Sequence, residues 1–82
     1  MPSKLWLPRI DGQIIKVEAK WSSWTGGGKI FVNGMLSETW KSNIGGGLTK
    51  IFQIEYTPAV LRATHNSFEL HIDGSLVEAN SG

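Results

Sequence analysis

The stretch FELHIDGSLVEA, Phe68 to Ala79, decides the fold. Phe68, Leu70 and Ile72 alternate with Glu69, His71 and Asp73. A period of two is the signature of a strand with one buried face, because successive side chains leave a strand on opposite sides. Asp73-Gly74 then closes a two-residue hairpin, since both central positions of such a turn need positive φ, which Asx and Gly tolerate best. SLVEA returns as the partner strand. Upstream, KIFVNGMLSETW, Lys29 to Trp40, has the same form around Asn33-Gly34.

The two phrases extend further when aligned on their turns. IKVEAKWSSWTGGGKIFVNGMLSE and FQIEYTPAVLRATHNSFELHIDGSLVE share the order strand, loop, strand, Asx-Gly turn, strand. Two explanations stand side by side: an internal pseudo-duplication, and the ordinary likeness of hairpin words to one another. Either way, two such units would cover each other's apolar faces as the layers of a sandwich do.

The remaining segments agree. KLWLPRI opens as a strand that Pro8 confines to an edge or a bulge, because proline has no N–H to donate. Asp11-Gly12 is a third turn signal. In IIKVEAKW, Ile15, Val17, Ala19 and Trp21 fall on one face and Lys16, Glu18 and Lys20 on the other. SSWTGGG and NIGGG read as loops. LTKIFQIEY sets Phe52, Ile54 and Tyr56 inward, and Pro58 ends it. AVLRATHNS fits either one helical turn or an irregular strand. The spacing therefore predicts an all-β chain, a small antiparallel β-sandwich of about seven strands in one domain over residues 1–82, with a frayed C-terminal tail.

Composition narrows the function classes. Eight Lys and Arg oppose seven Asp and Glu, and no basic run exists, which argues against a nucleic-acid surface. No segment has the length of a membrane span. The chain has no cysteine. That excludes zinc-type cysteine spacings and, with the lack of a signal-peptide pattern, leads to the expectation of a cytoplasmic protein.

Trp6, Asp11-Gly12, Lys16-Val17-Glu18, Gly28-Lys29, Val32-Asn33-Gly34, Trp40 and the run from Phe68 to Leu76 resemble, in that order, the domain of the Fas apoptotic inhibitory molecule (FAIM) family. The resemblance spans nearly the whole chain, which departs from the pattern in its TGGG and second GGG runs. It implies a compact antiparallel sandwich and a non-enzymatic role, in cell survival or in protection against protein aggregation.

Residues that could carry chemistry do not assemble into a reaction. Glu69, His71 and Asp73 share a strand face, but neighbours there lie about 6.6 Å apart, too far for a tight metal site unaided. Cross-strand ion pairs explain them more simply. His65 reads as a solvated loop histidine. Glu18 and Glu55 could be glycosidase-type carboxylates, yet each reads as surface charge beside lysines. No G-x-S-x-G occurs, and GGGKI lacks the rest of a phosphate loop. No enzyme activity, cofactor or metal is expected.

The tryptophans are more informative. Trp6, Trp21 and Trp40 lie in strands and belong to the core. Trp24 lies in a loop beside Gly26, Gly27 and Gly28, where it either folds back as a lid or stands out as a contact residue. The candidate binding residues are therefore Trp24, Trp21, Gly26, Gly27 and Gly28. The expected partner is a protein. The alternative is a glycan, with Trp24 and Trp21 stacking on a sugar ring.

Overall fold

The computed structural model describes residues 2–42, 48–64 and 67–79. Among them, ten strands form three antiparallel sheets and there is no helix. The first sheet has the order β1-β4-β5-β6, with β1 Ser3–Trp6, β4 Val17–Trp21, β5 Gly26–Val32 and β6 Met35–Ser42. The second has the order β10-β9-β8-β7, with β7 Thr49–Ile54, β8 Thr57–Ala63, β9 Phe68–Ile72 and β10 Ser75–Val77. A two-stranded piece, β2 Arg9–Ile10 and β3 Gln13–Ile14, completes the set.

The two four-stranded sheets face each other as a sandwich. Trp6, Val17, Ala19, Ile30 and Trp40 of the first sheet are buried against Phe52, Ile54, Ala59, Leu61, Phe68 and Leu70 of the second. Each side chain of valine size or larger among them stabilises the fold by about 1.5–3 kcal/mol on full burial. One flank is tied by a bridge between Trp6 and Ala79. Glu38 on the edge strand β6 reaches Lys50 on the edge strand β7 at 3.8 Å.

Ten strands replace the expected seven for local reasons. The first is broken at Pro8, whose carbonyl accepts the Ile15 N–H at 2.8 Å, so β1 stops at the edge of its sheet and β2 begins anew. The second is broken between Ile14 and Val17. The ambiguous stretch AVLRATHNS contributes most of β8, a full strand between β7 and β9. That insertion also limits the likeness of the two halves. β4 pairs directly with β5, whereas β7 is separated from β9 by β8, so only the hairpins of the two phrases correspond.

All three Asx-Gly dipeptides are turns with positive φ at both positions. The values are 51° and 79° at Asp11-Gly12, 52° and 82° at Asn33-Gly34, and 50° and 85° at Asp73-Gly74. This is the mirror-image turn whose twist matches that of the strands it joins. Asn33 has an added role: its Oδ1 accepts the Lys16 N–H at 3.0 Å, and its own N–H donates to the Lys16 carbonyl.

Three burial expectations need correction. Tyr56 was expected inward with Ile54, but Glu55 turns the chain at φ 59° and leaves Tyr56 96% exposed. Ile72 is only partly buried, since it sits at the strand end where the turn begins. Glu18, Glu69 and His71 face outward but are half-buried by neighbouring strands.

Candidate binding sites at the loop end of the sandwich

The residues expected to bind meet at one end of the molecule, yet they do three different things. Residues 22–25 form a short loop between β4 and β5, held by its own hydrogen bonds. The Ser22 hydroxyl accepts the Trp24 N–H at 3.1 Å and the Thr25 N–H at 3.4 Å. The Ser22 carbonyl accepts the Gly26 N–H, the Ser22 N–H donates to the Gly27 carbonyl, and Thr25 Oγ1 accepts the Gly27 N–H. All of these bonds are local, made within residues 22–27. At its tip Trp24 is 96% exposed, so it is not a lid on the core. Pro2, Ser22 and Ser23 line a shallow depression beside it.

Trp21 belongs to the core side. Its ring meets Phe68 edge-on, with centroids 4.7 Å apart and planes at 63°. Trp40 meets the same Phe68 at 5.5 Å. This three-ring cluster joins the two sheets beneath the loop.

Gly26, Gly27 and Gly28 are strand residues of β5, not parts of a flexible loop. The reason is steric. Trp40 lies over Gly28, where a Cβ would come within 2.6 Å of the ring atom Cζ2 and would also collide with the Lys20 carbonyl. A Cβ on Gly27 would collide with the Lys41 carbonyl. Gly26 has φ 75°, and its carbonyl accepts the Trp40 indole N–H at 2.6 Å. The glycines make room for neighbouring strands and for one indole.

On the outer face of the first sheet the same glycines leave a depression of about 440 Å³. Lys20, Lys29 and Lys41 stand around it, with Phe31 and Thr39 as further walls and Trp21, Gly27, Gly28 and Trp40 beneath. Lys20 is directly opposite Lys29 in the β4–β5 register. The Lys20 ammonium lies 5.6 Å from the centre of the Phe31 ring. The three lysines are nine and twelve positions apart in the chain, so no basic run reveals them. The usable signal is alternation: Lys20 outward on β4 and Lys29 at the same level across the loop.

The other candidates separate. Glu69 pairs with Arg62, directly opposite on β8, at 3.1 Å, and lies 3.9 Å from His71 Nε2. Asp73 is in the turn. Glu18 is on β4 and Glu55 in the β7–β8 turn, so they do not form a carboxylate pair. Among the described residues no cluster of His, Asp and Glu could hold a metal ion. His65 and the second glycine run lie outside the described residues. No helix among the described residues is long and apolar enough to cross a membrane. No family model matches the chain, and no curated protein is found to match it in sequence.

Proposed function

We propose that this domain is a non-catalytic interaction module that contacts a protein partner through the Trp24 loop. The observation that carries the reading is the display of Trp24, 96% exposed on a loop whose backbone is already hydrogen-bonded. A pre-ordered loop loses little conformational freedom on binding, and an exposed tryptophan is the side chain most often found at an interface hot spot. The motif likeness to the Fas apoptotic inhibitory molecule family supports a partner-binding role, in cell survival or in shielding aggregation-prone chains, within the cytoplasm. A glycan is the second reading, favoured by the hydroxyls of Ser22 and Ser23 beside an open indole face.

The test is a paired screen, capture from lysate and a glycan panel, with the native chain and Trp24→Ala. The variant is expected to melt with the native chain, within about 0.5 kcal/mol, as for other exposed positions. It should lose more than about 1 kcal/mol of affinity for whichever ligand is captured. Undiminished binding by Trp24→Ala with an unchanged melt overturns the reading.

A further inference from the structure

We propose that the outer face of the first sheet holds a second site, for a small ligand that joins an anionic group to a flat apolar body. The depression over Gly27 and Gly28, about 440 Å³, has the size of a small-ligand pocket. Its walls are Phe31 and the strand segments at Trp21, Gly27, Gly28 and Trp40, a largely apolar surface that suits a planar group. Its rim carries three ammonium groups.

The charge on that rim is uncompensated. Lys4 donates to Ser67 Oγ and the Phe68 carbonyl, Lys50 meets Glu38, and Arg62 meets Glu69, whereas Arg9 and Lys16 stand singly and exposed away from this face. Among the described residues, Lys20, Lys29 and Lys41 form no ion pair. Lys20 and Lys29 are moreover directly opposed across β4 and β5, an arrangement that costs stability when like charges face each other. Among the described residues, Glu18 is the one carboxylate on that face, two positions along β4 from Lys20.

An anion placed between the ammoniums removes the like-charge repulsion and gains attraction from all three. Its apolar body packs against the part-exposed Phe31 ring and the strand backbone at Gly27. The glycines keep the pocket open because no larger residue fits at either position. Charge and shape therefore select the same ligand class, an aromatic carboxylate, sulfonate or phosphate. Trp24 does not line this pocket, so the site stands or falls independently of the loop reading.

The experiment is an NMR titration of the full chain with 2-naphthoate, its neutral analogue 2-naphthamide, and acetate. Amide shifts are expected at residues 20–21, 27–31 and 39–41 with naphthoate. Naphthamide and acetate should each bind at least about threefold more weakly, since each lacks one half of the match. Raising NaCl from about 0.02 M to about 0.3 M should weaken naphthoate, because the exposed ammoniums are screened over about a Debye length. Lys29→Thr should weaken it about two- to fivefold, the scale of an exposed ion pair, without lowering the melting temperature. Equal binding of naphthamide, indifference to salt, or shifts centred elsewhere would each overturn the proposal. So would unchanged affinity in a folded Lys29→Thr chain. The analogue and salt arms use the native chain, so they decide the matter even if the variant fails to fold.

Discussion

The hairpins β5–β6 and β9–β10 are built on the same turn and come out differently. Counted back from the turn, Gly28 in β5 corresponds to Phe68 in β9, and Ile30 to Leu70. In β9–β10 the register runs without interruption, with Ile72 opposite Ser75 and Leu70 opposite Val77. In β5–β6 it starts the same way, Val32 opposite Met35 and Phe31 opposite Leu36, and then jumps to Ile30 opposite Glu38. Ser37 is the extra residue of a β-bulge.

That one residue exchanges the faces of everything beyond it on β6. Were Ser37 paired with Ile30 in an unbroken register, Lys29 would oppose Glu38 on the outer face and Trp40 would point to solvent. With Ser37 bulged out, Trp40 turns inward over Gly28 and Glu38 turns to the side of Lys50, leaving Lys29 opposite Thr39. The two hairpins thus become complementary. Where β5 has a glycine, the indole of Trp40 fills the space, and where β9 has Phe68, its ring packs on that indole. A shared turn fixes how a hairpin starts, and a bulge decides what its far end buries. The same bulge produces the unpaired lysine face.

Trp40→Ala is the most severe way to break the comparison. It empties the space over Gly28 that the indole fills and removes one of the two rings packed on Phe68. A loss of about 3–5 kcal/mol is expected, the scale of removing a large aromatic from a core. Denaturant melts would show it as a lower midpoint. Native stability in this variant would mean that the indole over Gly28 does not hold the first hairpin to the second.

Phe68→Ala attacks the other hairpin at the corresponding position. Phe68 is 3% exposed and meets both Trp21 and Trp40, so about 3–5 kcal/mol should be lost here too. In a domain of this size that lowers the melting temperature by more than about 12 °C. A shift of only a few degrees would refute the aromatic cluster as a stabilising unit.

Gly28→Ala sharpens the steric half. The added methyl meets backbone and a buried ring, neither of which can swing away, so about 1–3 kcal/mol should be lost. A neutral result would leave the glycine unexplained. The smallest expected difference lies at the turns themselves. Gly34 and Gly74 have φ of 82° and 85° with open space around them, so alanine at either meets only backbone strain. Each replacement should cost about 1–2 kcal/mol, and the two losses should agree. A clear inequality in paired thermal melts would show that the turns are not equivalent.

Local physics was sufficient where the chain needs only its neighbours. Asp11-Gly12, Asn33-Gly34 and Asp73-Gly74 are turns because few other dipeptides accept positive φ at both positions, whatever the rest of the molecule does. Phe52, Ile54, Phe68 and Leu70 are buried because period two in a strand leaves them no other face. Those features sufficed for an antiparallel all-β fold. Tertiary structure decided the rest. Gly26, Gly27 and Gly28 look like loop residues until β4 and β6 press on them from either side. Thr57–Ala63 becomes a strand because β7 and β9 flank it. Lys20, Lys29 and Lys41 gather on one face only after a bulge at Ser37 has shifted the register. Each of these depends on which strand lies alongside and at what offset, and that offset is set by the packing of both sheets together. One residue of slip reverses every face it passes, so no reading of a single strand can supply it.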